Sequence, residues 1–183
     1  QSLAERARNS STHSSIITNK QTFVIGNGIQ TEDSKTEDYI ALVNSNGESL
    51  QQVFDKVALD YITFGNAYIE VVRSSFGGQT AITIFHKDAT TVRIGKPNKK
   101  GEIDTYFISS DWSRIRATKE NKPIPVDAYK KGLRSKNQIL HIKDYSPEFF
   151  YYGLPDYVGS LKWIEIENKI PTYNLSRFEN GFM

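Results

Sequence analysis

The sequence predicts an α+β protein in which an antiparallel meander sheet is packed by one amphipathic helix and followed by a long C-terminal helix. Three patterns carry that expectation. Between Glu48 and Phe64 the apolar residues Leu50, Val53, Phe54, Val57, Ala58, Tyr61 and Ile62 recur at helical spacing and form one face. From Asn66 the period switches to two, with Ala67, Ile69 and Val71 alternating with Tyr68, Glu70 and Val72. From Tyr157 to Glu179 helical spacing returns and, at 1.5 Å per residue, predicts an element of roughly 35 Å.

The 183 residues suit one domain of ordinary size, and 38% hydrophobic with 12% aromatic content is the composition of a folding chain. Lys and Arg number 23 against 21 Asp and Glu, a formal charge of +2, so bulk electrostatics carry no argument for nucleic-acid or membrane binding. Cysteine is absent, which excludes disulfides and thiolate chemistry and fits assembly inside a cell. No apolar run approaches the ~18 residues of a membrane span, so no membrane partner is expected. The chain starts at Gln1 and its one methionine is Met183, so we expect a fragment of a longer protein.

Residues 1–20 are polar, lack a period and predict a flexible arm that needs a partner to become ordered. Residues 21–155 predict the α+β domain, and 156–183 the long helix leading to a missing C-terminal region. Thr22–Ile25 reads as a short strand and Gly26-Asn27-Gly28 as a tight turn rather than a dinucleotide fingerprint, because no third glycine follows at the needed spacing. Glu32, Asp33, Glu37 and Asp38 precede a helical segment at 39–43 and favour its N-terminal dipole. Gly65 ends the helix that begins near Glu48.

Two hairpins follow, one turning at 74–78, the other joining 91–94 to 103–108 around a loop with Lys96, Lys99 and Lys100. From Ser109 to Gln138 regularity is lost. Trp112, Arg114, Arg116, Lys119, Lys122, Pro123 and Pro125 predict an extended connection that covers a sheet edge, with a nucleic-acid backbone as the alternative contact. Residues 138–143 make the last strand. His13, His86 and His141 have no ligand spacing, so no metal and no cofactor are expected. Phe149, Phe150, Tyr151 and Tyr152 predict core packing under the helix start, and Asp156 a helix cap.

The long helix carries two stripes. Tyr157, Leu161, Ile164, Asn168, Pro171, Leu175 and Phe178 follow a 4-3-4-3 spacing, while Trp163, Ile166, Ile170 and Tyr173 lie on nearly the opposite side. Two apolar stripes require two neighbours, which makes Leu161, Trp163, Ile164, Ile166, Ile170, Leu175 and Phe178 candidate subunit-packing residues. Pro171 predicts a kink or a division of the helix.

Four passages, in order, resemble the N-terminal portion of a tailed-phage portal protein, the subunit of the ring at the capsid vertex. They are Phe64-Gly65-Asn66-Ala67-Tyr68-Ile69-Glu70, the strand Gln138–Ile142 with His141, the turn Tyr152-Gly153-Leu154-Pro155, and Phe178-Glu179-Asn180-Gly181. The motif residues are Gly65, Asn66, Tyr68, His141, Tyr152, Gly153, Pro155, Asn180 and Gly181. The sequence departs from the family in its basic connection and in Pro171.

The resemblance implies a non-enzymatic ring component of the virion, in about twelve copies, assembled in the host cytoplasm. A terminase motor would drive double-stranded DNA through the ring without reading its sequence, and capsid, tail or adaptor proteins would attach to it. Residues 156–179 would then be the first channel-wall helix or its lead-in, Asn180-Gly181 the hinge towards the motor-facing region, and the upstream part the wing. Lys162 and Lys169, one seven-residue step apart, are the candidate channel residues. A metal-dependent hydrolase built on Glu32, Asp33, Glu37 and Asp38 or on Asp144, Glu148 and Asp156 is the enzymatic alternative. A monomeric module gripping a peptide or sugar with Phe149 to Tyr152 is the other.

Overall fold

The structure is a computed structural model that describes residues 2–115, 122–132 and 135–181. In chain order it contains α1 (Leu3–Asn9), α2 (Ser11–Ile25), α3 (Ser34–Ala41), α4 (Leu50–Phe64), β1 (Asn66–Phe76), β2 (Gln79–Lys87), β3 (Val92–Ile94), β4 (Thr105–Ile108), β5 (Ile124–Ala128), β6 (Asn137–Lys143), a 3-10 turn (Asp156–Ser160) and α5 (Leu161–Glu179). The fold is α+β, with a six-stranded, mostly antiparallel, curled sheet and a long C-terminal helix, as the sequence predicts.

Helix α4 starts on a reciprocal cap. The Ser49 hydroxyl accepts from Gln52 N at 3.2 Å, and Gln52 Oε1 accepts from Ser49 N at 2.9 Å. Val53 and Val57 are buried against the Ala67, Ile69 and Val71 face of β1. The opposite face of β1 places Tyr68 in a second core with Val92, Tyr106, Val126, Ala128 and Ile139. The period-two alternation thus distributes one strand between two cores. Such a strand must lie inside the sheet, and the order β2-β1-β6-β5-β4-β3 puts β1 between β2 and β6.

Strand β6 inserts between the hairpin β1–β2 and the strands β3–β5. It runs antiparallel to β1 over Asn66↔Lys143 to Val72↔Asn137, and parallel to β5 at Asp127↔Gln138 and Ala128↔Ile139. Strand β5 lies inside the stretch read as irregular. Pro125 hid it, since proline lacks the ladder donor. It is tolerated because β5 meets β6 only at Asp127 and Ala128, so Pro125 has a strand neighbour on one side alone. Of the described residues of that connection, Trp112 covers the β3 edge, where its Nε1 donates to Thr91 O at 3.1 Å and Arg93 lies over its ring at 5.3 Å. Arg116 and Lys119 fall outside the described residues.

Several elements differ from expectation, each for a physical reason. The N-terminal arm forms α1 and α2, because its partner is within the chain: Ile17 and His13 are buried, and Gln21 Nε2 donates to Asp55 O of α4 at 2.8 Å. With so few positions buried, α2 leaves no period in the sequence. Thr22–Ile25 is the last turn of α2 rather than a strand, and its Phe23 and Val24 are exposed. Asp156 caps no helix. It opens the 3-10 turn and pairs with Lys20, and α5 begins only at Leu161. Helix α5 runs through Pro171 without a break, in a stretch where residues 169–180 are exposed. Phe149 and Phe150 are exposed instead of packing under the helix start; of that cluster Tyr152 turns inward.

Removing the cap oxygen tests the α4 start. We expect Ser49→Ala to lower stability by about 1 kcal/mol, read as a shift in the urea midpoint at unchanged slope.

Candidate functional site

The portal-like motif residues of the first three passages meet in one place. Gly65 leaves α4 with φ +68, a left-handed conformation, and a Cβ there would stand 2.4 Å from the Leu154 carbonyl carbon. Gly153 comes as close from the other side: its Cβ would lie 2.2 Å from Gly65 O and 2.6 Å from Asp144 N. Asp144 N donates to Gly65 O at 2.9 Å. Three backbone segments therefore touch where two side chains are missing.

The Asn66 carboxamide ties them together. Its Nδ2 donates to Phe64 O and Gly153 O, both at 2.8 Å, and its Oδ1 accepts from Gly153 N at 2.8 Å. The same oxygen lies 3.0 Å from His141 Nε2. Because Oδ1 can only accept, His141 carries its proton on Nε2, and Nδ1 is left to accept from the Tyr106 hydroxyl at 3.4 Å. The imidazole stacks on Tyr68 at 4.4 Å between centroids. Tyr152 closes the assembly by accepting from Ile94 N at 3.1 Å.

Burial, with a smaller contribution from Lys143, pushes the His141 pKa down from 6.5 to about 4. The neutral tautomer that Asn66 needs is thus the stable one at neutral pH. Burial raises Tyr106 to about 12. Both shifts keep His141 and Tyr106 neutral at neutral pH, and the arrangement is a clamp of matched donors and acceptors. Tyr106 and Ser146, whose hydroxyl accepts from Leu154 N at 3.3 Å, are parts that sequence reading missed, and Asp144 enters through its backbone N–H rather than as a hydrolase carboxylate. The Tyr106–His141 and Asp144–Gly65 contacts join segments far apart along the chain and have no local signal.

The fourth passage is separate. Asn180 ends α5, with Nδ2 donating to Ser176 O at 2.8 Å, and Gly181 follows at φ +65. Along α5, Ile164 is buried and Leu161 half-buried, while Trp163, Ile166, Ile170, Tyr173, Leu175 and Phe178 are exposed. Lys162 and Lys169 are also exposed, and Lys169 Nζ pairs with Glu165 at 3.1 Å. The inner side of α5 meets the N-terminal helices through polar groups. Arg6 donates to Leu161 O at 3.0 Å, and Glu167 accepts from the Ser10 hydroxyl and from Thr12 N.

Among the described residues no three His, Cys, Asp or Glu side chains gather as a metal site. Asp33 caps α3 by accepting from Thr36 N at 2.9 Å, and that Thr36 bonding lowers its pKa. Asp156 is paired with Lys20, and Asp60, which the sequence did not single out, holds His86 at 2.8 Å and Ala89 N at 2.9 Å. Of the carboxylates proposed for a hydrolase, Asp33 thus acts as a cap, Asp156 as an ion-pair partner and Asp144 as a hydrogen-bond partner of Tyr61.

The clamp generates two expectations. Asn66→Ala strands buried carbonyl and amide groups and should cost about 2–4 kcal/mol by chemical denaturation. For His141 the native pKa lies below the unfolded one, so the unfolded chain binds the additional proton between the two values and stability falls as pH drops from 6.5 to about 4. The loss should approach roughly 3 kcal/mol, and the denaturation profile of His141→Ala should lack that slope.

No known family model and no curated protein sequence matches the chain. Solved structures do share its fold. A chain of the virion of a native gene transfer agent particle superposes with TM-score 0.73 at 13% identity, covering 99% of this chain and 46% of that one. A chain from the neck of the empty particle, computed with C6 symmetry, gives 0.72 at 13% identity over 98% and 46%. One from the neck of the native particle, computed with C12 symmetry, gives 0.67 at 14% identity over 98% and 45%. The chain spans less than half the length of these structures and has, almost throughout, the fold of chains in gene transfer agent particles.

Proposed function

We propose that this chain is a structural, non-enzymatic component of a phage-like virion, and more narrowly the N-terminal portion of a portal-type subunit at the capsid vertex. The observation that carries the reading is the fold match to particle-neck chains over 98% of the sequence. The portal-like motifs support it, since Gly65, Asn66, His141, Tyr152 and Gly153 meet in one clamp although they lie far apart in sequence.

In this reading the sheet domain is the wing and α5 the lead-in to the channel wall. A surface helix with rings and branched side chains facing solvent matches a helix that lies between ring neighbours. Such a ring passes double-stranded DNA, moved by a terminase motor, and offers its outer surface to capsid, tail or adaptor proteins. Lys162 and Lys169 are the channel candidates. Sliding requires weak phosphate contacts, because each tight one adds to a salt-dependent affinity that opposes movement. Lys169 fits that need, as its charge is shared with Glu165.

Particle mass and negative-stain images of the full-length gene product test the proposal. Closed rings of about twelve copies are the expected result. A strict monomer at every salt and crowding condition overturns it.

A further inference from the structure

Strand β2 is one edge of the six-stranded sheet and β3 the other. An open edge invites another chain, and the β2 edge is only partly closed. Ile84 N donates to Val43 O at 3.1 Å and the Tyr39 hydroxyl to Ile82 O at 3.2 Å, so α3 and the residues after it lie along β2. Beside this contact runs an open groove of about 790 Å3, lined by residues 39, 42–45, 72, 80–83 and 85, none of them charged. Leu42 is 59% and Ile82 44% exposed there.

The charge next to this groove has one sign. Residues 32–38 hold Glu32, Asp33, Glu37 and Asp38 against the single cation Lys35. All five are exposed, and among the described residues none of them joins an ion pair. Asp38 stands one helical turn before Leu42, which lines the groove.

The opposite sign collects towards the other side of the sheet. The loops 95–104, after β3, and 129–132, after β5, carry Lys96, Lys99, Lys100, Lys130 and Lys131 against Glu102 and Asp104. Asp104 joins the two loops, pairing with Lys130 Nζ at 2.6 Å and accepting from Asn98 Nδ2 at 2.9 Å. The other four lysines are exposed and join no ion pair among the described residues. Six strands in a row put β2 about 24 Å from β3 along the sheet. That is about three Debye lengths at physiological salt, so the two poles do not neutralise each other within one copy.

We propose that the α3–β2 edge of one copy receives the lysine loops of the next, with the Lys99 and Lys100 stems on the uncharged groove and their ammonium groups at the α3 carboxylates. Lysine suits both parts of that surface, because its methylene stem covers apolar area while its head stays at a charge. The inference rests on the ring reading above and names its contact. The poles are different surfaces on opposite sides of the sheet, so their pairing is head-to-tail, the kind that closes into rings, whereas a self-matching patch stops at a dimer.

Charge reversal in the full-length protein tests it, read by sedimentation and native mass spectrometry as the concentration at which rings dissociate. Lys99→Glu with Lys100→Glu reverses one pole. Glu32→Lys with Asp38→Lys reverses the other and spares the Asp33 cap and the first-turn Glu37. All four sites are exposed, and circular dichroism checks that each variant folds. Each variant alone should weaken association about tenfold, and a one-to-one mixture should regain rings, because alternating copies restore opposite charge at every contact. Unchanged association of either variant, while the wild type forms rings, overturns this contact and leaves the ring reading standing. Lysine variants that lose only the retention of DNA give those lysines to a nucleic-acid backbone and overturn it as well. Variants weakened alone and not rescued by mixing overturn the pairing of these two poles. A wild type that never assembles removes the ring reading and this contact together.

Discussion

The interaction on which the rest depends is the approach of Gly65 to Gly153, held by one asparagine. Backbones come this near only where neither residue has a Cβ, and polar backbone buried at such a junction needs every donor and acceptor matched. Asn66 does that matching, with both ends of its carboxamide bonded. From this point the geometry spreads in two directions. Gly65 turns α4 into β1, and Gly153 turns the chain after β6 towards α5. The orientation of the long helix relative to the sheet is thereby set at two glycines and an amide.

Strand β1 explains why the clamp is rigid. It is buried on both faces, contributes Tyr68 to one core and Ala67, Ile69 and Val71 to the other, and has a neighbour along each edge. His141, on the adjacent β6, stacks on Tyr68 and is kept neutral by its burial, so it serves as a proton donor to Asn66 and an acceptor for Tyr106. Acid loads this point, because burial penalises the charged imidazole and its protonation costs stability.

Against that rigid centre the surface is unevenly finished. The α2–α5 seam is bonded through polar groups at its edge yet leaves an unmatched imidazole within, and the loop after β6 carries aromatic rings into solvent. In a free monomer both features are unfavourable.

Periodicity alone determined α4, the β1–β2 hairpin, the β3–β4 pair, β6 and the helical character of α5, because each buries a regular face or alternates along its length. Glycine spacing and the Gly65-Asn66 and Tyr152-Gly153 passages were also legible, and marked the clamp residues singly. The tertiary structure alone decided that these residues meet, that β6 inserts beside β1, and that α1 and α2 are helices. It also decided that β5 forms despite Pro125, and that the rings at Phe149 and Phe150 face outward. In each case the deciding contacts join segments distant in sequence, where local propensity is weak and long-range packing chooses among the conformations that it leaves open.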